Sequence, residues 1–198
     1  DDLPYAKKVA KYLDVDLKIV NANSEIINDF DKIIYHLDEP QADPAAINIY
    51  NICKVAKADG IKVLLGGAAG DDLFSGYRRH KALSIETNIE RIPIFIRRLL
   101  KKIVQIFKTG SPFFRRLKKL TINFEKSKFE RMLGYFDWID SPTLEALFKD
   151  KNSFDHHEFF KNLDNKLPEN TSDLNRMLNW ELKTFLVDHN LNYTDKLS

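Results

Sequence analysis

Apolar residues near the start of the chain recur three and four apart. Tyr5, Ala6, Val9, Ala10 and Leu13 share one face, and Lys7, Lys8 and Lys11 take the other. This spacing predicts an amphipathic helix, with Asp2 as its cap and Pro4 in its first turn. Residues 17–20 then read as a short strand. Ser24 can cap a second helix running to about Leu37, with Ile26, Ile27, Phe30, Ile33, Ile34 and Leu37 facing inward. Pro40 and Pro44 forbid a helix through the loop that follows. A third helix is predicted from Ala45 to about Asp59, with Asp43 as cap and Ile49, Ile52, Cys53 and Ala56 inside. Gly60 closes it in a left-handed conformation. Residues 61–65 are mostly apolar and run straight into the small residues 66–70. A short apolar run ending in glycine predicts a buried parallel strand that stops at a ligand-binding turn.

After Tyr77 no strand pattern appears. Helical spacing is found over residues 89–107, 113–120, 125–133, 141–148 (opened by Ser141 and Pro142), 155–163 and 172–187 (capped by Ser172 or Thr171). Strands separated by helices in the first 77 residues predict parallel pairing and an α/β fold, followed by an α-helical region.

Charge and composition narrow the class. Net charge is +2 over 198 residues, too little to imply a polyanion partner by itself. Thirteen Lys or Arg nevertheless stand against two Glu between Arg91 and Arg131. They interleave with Ile, Leu and Phe at helical spacing, so a solvated helix face whose long basic side chains cover apolar surface is expected. A groove for a polyanion or anionic lipid is the alternative. Cys53 is the single cysteine, which excludes an intrachain disulfide and suggests a reducing, cytoplasmic setting. It reads as a small core residue. His36 reads as a helix-end residue, and the adjacent His156 and His157 diverge too far on a helix to chelate together. No apolar run reaches membrane-spanning length, so no membrane partner is expected. Both ends break off in mid-pattern, so a piece of a longer chain is expected.

The chemistry is concentrated in residues 66–77. Small residues let a ligand approach the backbone. Asp71 and Asp72 carry carboxylates that can hold a hard cation such as Mg²⁺. The competing reading makes one of them a helix N-cap.

Several segments together resemble the synthetase domain of glutamine-dependent asparagine synthetases. Asp38-Glu39-Pro40, with Asp43-Pro44 after it, matches that family's DEP…DP. Gly67, then Gly70-Asp71-Asp72-Leu73-Phe74-Ser75-Gly76-Tyr77 and Arg79, matches SG(D/E)G(G/A)DELFGGY and an Arg. The opening helix and the closing Leu186-Val187-Asp188-His189-Asn190 through Ser198 are also similar, while residues 84–170 carry little of the likeness. The resemblance implies a doubly wound parallel sheet of the ATP-pyrophosphatase type. Residues 1–83 would form part of that α/β core and 84–198 its helical C-terminal part. It also implies a ligase that uses ATP and Mg²⁺ to convert aspartate into asparagine, AMP and pyrophosphate through β-aspartyl-AMP. Ammonia would come from an N-terminal glutaminase domain, and a homodimer is an option.

Carried over by position, Gly66 and Gly67 stand against ATP, Asp38 and Asp43 in the binding loop, and Asp71 at the Mg²⁺-binding acid. Asp72, Arg79 and Lys196 stand at catalytic positions. Three departures matter. Gly66 replaces a Ser, Ala68 replaces an acid, and Ala69 replaces a Gly, where a methyl is costly if φ is positive. A relative acting on another carboxylate and a non-catalytic homologue are therefore rival expectations. The family's phosphate-gripping SGGxDS loop does not occur in these residues, so the chain by itself is expected to be inactive.

Overall fold

The structure, a computed structural model, describes residues 3–21, 28–41, 43–107, 110–139, 143, 146–148 and 156–198. It divides into two compact units. The first comprises Asp1–Ala68 with Leu186–Ser198, and the second Ala69–Phe185.

In the first unit the predicted apolar spacing yields helices α1 (Leu3–Leu13), α2 (Phe30–His36) and α3 (Ala45–Ala58). Ile33 and Leu37 of the second helix and its exit pack on Ala46 and on Leu197. Ile47, Ile49, Tyr50 and Tyr193 border this core. The start of α3 is stabilised as its sequence suggests, since the backbone N–H of Ala45 donates to Asp43 Oδ1 at 2.8 Å. Gly60 follows α3 at φ 77°, a conformation that glycine adopts without steric cost. The predicted caps Asp2 and Ser24, with Ile26 and Ile27, lie outside the described residues.

The expected doubly wound parallel sheet is not formed. Among the described residues there is no strand. Residues 17–20 and 61–67 have no regular structure, and their apolar side chains face solvent. Leu17, Ile19, Ile61, Val63 and Leu64 are all exposed, and Leu65 is 98% exposed. An apolar run signals a buried strand only when a ladder partner and a covering layer are both present. Neither covers these segments, so the pattern alone was insufficient.

The second unit is helical: α4 (Gly70–Phe74), α5 (Arg78–Leu83), α6 (Glu86–Arg91), α7 (Ile94–Ile106), α8 (Pro112–Thr121), α9 (Lys128–Leu133), α10 (His156–Asp164) and α11 (Asp173–Lys183). The helix predicted over 89–107 is two helices, because Pro93 cannot continue α6. Its successor begins earlier than the spacing suggested, at Pro112, where Ser111 accepts from the N–H of Phe113. The helix predicted from 125 starts at Lys128, fixed by a capping box between Ser127 and Glu130. Ser141 and Pro142 lie outside the described residues, so the helix start assigned to them is not described.

Leu83, Met132, Leu133, Met177 and Trp180 form the core of this unit, with Phe129, Phe136 and Phe160 against it. The fully buried Trp180 is anchored by its Nε1, which donates to Asp164 Oδ1 at 2.8 Å. A buried polar group is satisfied beside it. Arg131 Nε donates to Glu86 at 2.8 Å, and Tyr135 Oη donates to the same carboxylate at 2.6 Å. Burial, then the hydrogen bond to Glu86, pushes the Tyr135 phenol above its ordinary range.

The last predicted helix stops at Lys183. A π-helical stretch, Phe185–Leu191, carries the chain into α12 (Asn192–Lys196). No described helix is long and apolar enough to cross a membrane.

Candidate functional site

The motif from Gly66 to His80 begins in irregular chain, where Gly66 and Gly67 are exposed. Ala69 then takes φ 74°, ψ −8°, and its carbonyl accepts from the N–H of Leu73 at 2.9 Å to start α4. The left-handed geometry that makes a glycine preferable at this position is therefore adopted by an alanine. Ser75 ends the same short helix at φ 62°, where the family motif carries Gly. Neither Asp71 nor Asp72 caps the helix; both lie within its first turn.

The two acids have different surroundings. Asp71 is exposed, and Gly76 lies close against it: a Cβ on Gly76 would stand 1.7 Å from Asp71 Oδ1 and 3.0 Å from its Cα. Glycine is needed at 76 for room. Asp72 is buried, and Tyr77 Oη donates to its Oδ2 at 3.1 Å.

Tyr77 also begins a second arrangement. The Arg79 guanidinium lies 3.9 Å from the Tyr77 ring centroid, 4.7 Å from that of Phe185 and 5.0 Å from that of Phe136. Its Nε donates to Glu181 Oε1. His80 Nε2 lies 2.7 Å from the other oxygen of Glu181. Glu181 is 0% exposed, so one buried carboxylate joins two basic side chains of α5. Aromatic faces around a guanidinium, together with a charged acceptor, are what a buried arginine requires. Arg79 Nη2 and His80 Nδ1 are buried without a hydrogen-bond partner among the described residues.

In the first unit the remaining sequence-derived positions form two pairs. Lys196 Nζ bonds Asp38, and that bond raises the ammonium above its ordinary value. His189 Nε2 lies 3.0 Å from Asp43 Oδ2, with its ring edge-on to Tyr193. Asp43 thus caps α3 with one oxygen and meets His189 with the other. Sequence reasoning did not single out Glu181 or His189. Glu181 carried a usable signal: it is an acid four residues after Met177 and one after Trp180, on the buried stripe of α11.

Among the described residues no group of three or more His, Cys, Asp or Glu could hold a metal ion by itself. Mg²⁺ commonly needs only one or two carboxylates besides substrate phosphates and water. Asp71, exposed and backed by Gly76, fits that requirement. Asp72, turned inward to Tyr77, does not.

The asparagine synthase family profile matches residues 1–198. The chain belongs to the asparagine synthase family. It is similar to asparagine synthetase [glutamine-hydrolyzing] 1 of Bacillus subtilis (strain 168), with 33% identity over 110 residues, 55% of the chain and 17% of that relative. It is also similar to a putative asparagine synthetase [glutamine-hydrolyzing] 1 of Methanocaldococcus jannaschii, with 31% identity over 113 residues, 56% of the chain and 20% of that relative. A more distant likeness, 28% over 83 residues, 41% of the chain and 12% of that protein, is to amidase chyE of Penicillium rubens. The matched stretches are well under two thirds of these relatives' lengths. No solved structure matches the chain.

Proposed function

We propose that this chain is part of an ATP-dependent amide ligase that activates a carboxylate by adenylation, with aspartate as the first substrate to test. The observation that carries this reading is the family match over the whole chain, together with the local geometry of the Gly70–His80 motif. A carboxylate is a poor acceptor for ammonia until an oxygen is converted into a leaving group. In the proposed sequence a side-chain carboxylate oxygen of aspartate attacks the α-phosphorus of ATP and pyrophosphate leaves. Ammonia, drawn from glutamine, then attacks the acyl carbon of β-aspartyl-AMP and loses a proton. AMP departs with the acyl oxygen, leaving asparagine.

Gly66 and Gly67 give ATP access to the backbone in this assignment. Asp71 holds Mg²⁺, which would neutralise charge on the departing pyrophosphate. Asp72 acts through Tyr77, and Arg79 through its buried pairing with Glu181, as positioning groups. In the first unit Lys196, a cation at neutral pH, is paired with Asp38, and Asp43 fixes the start of α3 while meeting His189.

The experiment is AMP release and ATP–pyrophosphate exchange by the full-length protein with Mg-ATP and a panel of carboxylates. Aspartate-dependent exchange that disappears in Asp71→Asn is the expected result. Binding of Mg-ATP without exchange on any carboxylate would overturn the proposal. A second reading, a different carboxylate acceptor, is favoured by Ala68, whose methyl can neither take a proton nor bind a cation where the family motif has an acid. Exchange with another member of the panel, but not with aspartate, would establish it.

A further inference from the structure

We propose that the outer face of α7 docks this chain on an anionic phospholipid surface. The sequence predicts a solvated face here whose basic side chains cover apolar surface, with a groove for a polyanion or anionic lipid as the alternative. The structure buries Val104 and leaves the opposite side of the helix open. Phe95, Leu99, Ile103 and Ile106 form a stripe along that side at spacings of four, four and three. All four are exposed, Phe95 to 68% and Ile106 to 81%. Single exposed apolar residues are ordinary on a protein surface, but a continuous stripe of large ones along a helix marks a contact face.

Charge identifies the occupant. Arg98 and Lys102 project on the edge of the stripe and are exposed. The adjoining α8, which packs on α7 through the stacked rings of Phe107 and Phe114, turns Arg115, Arg116 and Lys119 outward. An apolar stripe flanked by Lys and Arg matches a bilayer interface, where acyl chains take the Phe and Ile and lipid phosphates take the cations. A nucleic-acid backbone would use the cations but has no use for the apolar stripe. A second copy would bring one strongly basic face against another.

The test is cosedimentation of the full-length protein with phosphatidylcholine vesicles, with and without phosphatidylglycerol. The chain is expected to bind the anionic vesicles selectively and to be released by salt. Phe95→Ser with Ile106→Ser should weaken binding at least about tenfold. Arg98→Glu with Lys102→Glu should weaken it about a hundredfold. All four positions are exposed, so circular dichroism should show unchanged helix content. Tyr35→Ser, an exposed aromatic on α2, should leave binding unchanged.

Absence of anionic-vesicle binding would overturn the proposal, as would equal binding to neutral vesicles. So would equal loss in Tyr35→Ser or a preference for DNA or RNA that survives the apolar substitutions. A concentration-dependent dimer abolished by Phe95→Ser and Ile106→Ser would give the face to a second copy instead.

Discussion

Replacing Glu181 by Ala should be among the most damaging single changes in the second unit. The substitution leaves the guanidinium of Arg79, whose side chain is 16% exposed, without its acceptor, and strips the buried His80 of the same partner. Removing one member of a buried ion pair costs about 3–5 kcal/mol, because the remaining charge stays desolvated. Exposed pairs such as Lys18–Asp59 are worth about 0–1 kcal/mol, so the two classes separate cleanly. With a urea dependence of about 1–3 kcal/mol per molar for a small unit, the unfolding midpoint should fall by about 1–5 M. Glu181→Gln keeps the shape and one acceptor and should lose less, about 1.5–3 kcal/mol. Replacing both charges, Arg79→Met with Glu181→Leu, should be milder than Glu181→Ala alone, since no bare guanidinium is left even though His80 still loses its partner. The assay is urea unfolding followed by tryptophan emission in a Trp138→Phe background, so that Trp180, which packs in the same core, is the reporter. A loss below about 1 kcal/mol in Glu181→Ala would refute the claim that this carboxylate compensates a buried cation.

Three further outcomes are expected. Ala69→Gly should raise stability by up to about 1 kcal/mol, since relief of the left-handed methyl exceeds the added freedom of the unfolded glycine; a lower thermal midpoint would contradict the assigned backbone. Gly76→Ala should displace the Asp71 carboxylate, because the new methyl would occupy its place; pyrophosphate exchange by the full-length protein should then fall while circular dichroism changes little. Glu130→Gln should weaken the cap of α9 by about 0.5–1 kcal/mol at neutral pH. Its hydrogen bonds from Ser127 hold the Glu130 carboxyl below its ordinary range, so its contribution is present above that range and lost as pH falls through the depressed value. Denaturation at several acidic pH values should show the variant and the parent converging.

The helices were legible because their signals are local. The stripe of α1, the Asp43 cap and Gly60 each act within a few residues. The errors came where a second, nearby signal was outweighed: Pro93 splits a continuous apolar pattern, and the Ser127–Glu130 box moves a start by three residues. The sheet was misread for a different reason. Residues 61–65 have the composition of a buried strand, but burial depends on partners that composition does not supply. The pattern over 89–107 predicts helix, but which of the apolar residues of α7 face solvent depends, like the sheet, on partners that spacing does not supply.

The motif itself shows how far position within a pattern can stand in for environment. Asp71 and Asp72 are adjacent and chemically almost alike, and sequence offered both for metal binding or capping. A step of about 100° around the helix separates their surroundings: Gly76 leaves room around an exposed Asp71, while Tyr77 draws Asp72 inward. The residue after next, Arg79, keeps 16% of its side chain exposed and pairs with a fully buried acid 102 positions later in the chain. A local motif can name the groups that converge here, but the partner that makes a buried arginine tolerable lies on α11. The family assignment and the stability of the second unit therefore meet at Glu181. Loss of folding in Glu181→Ala, with retention in the paired apolar replacement, would show that the motif's Arg79 depends on that helix for its charge balance rather than on its own turn.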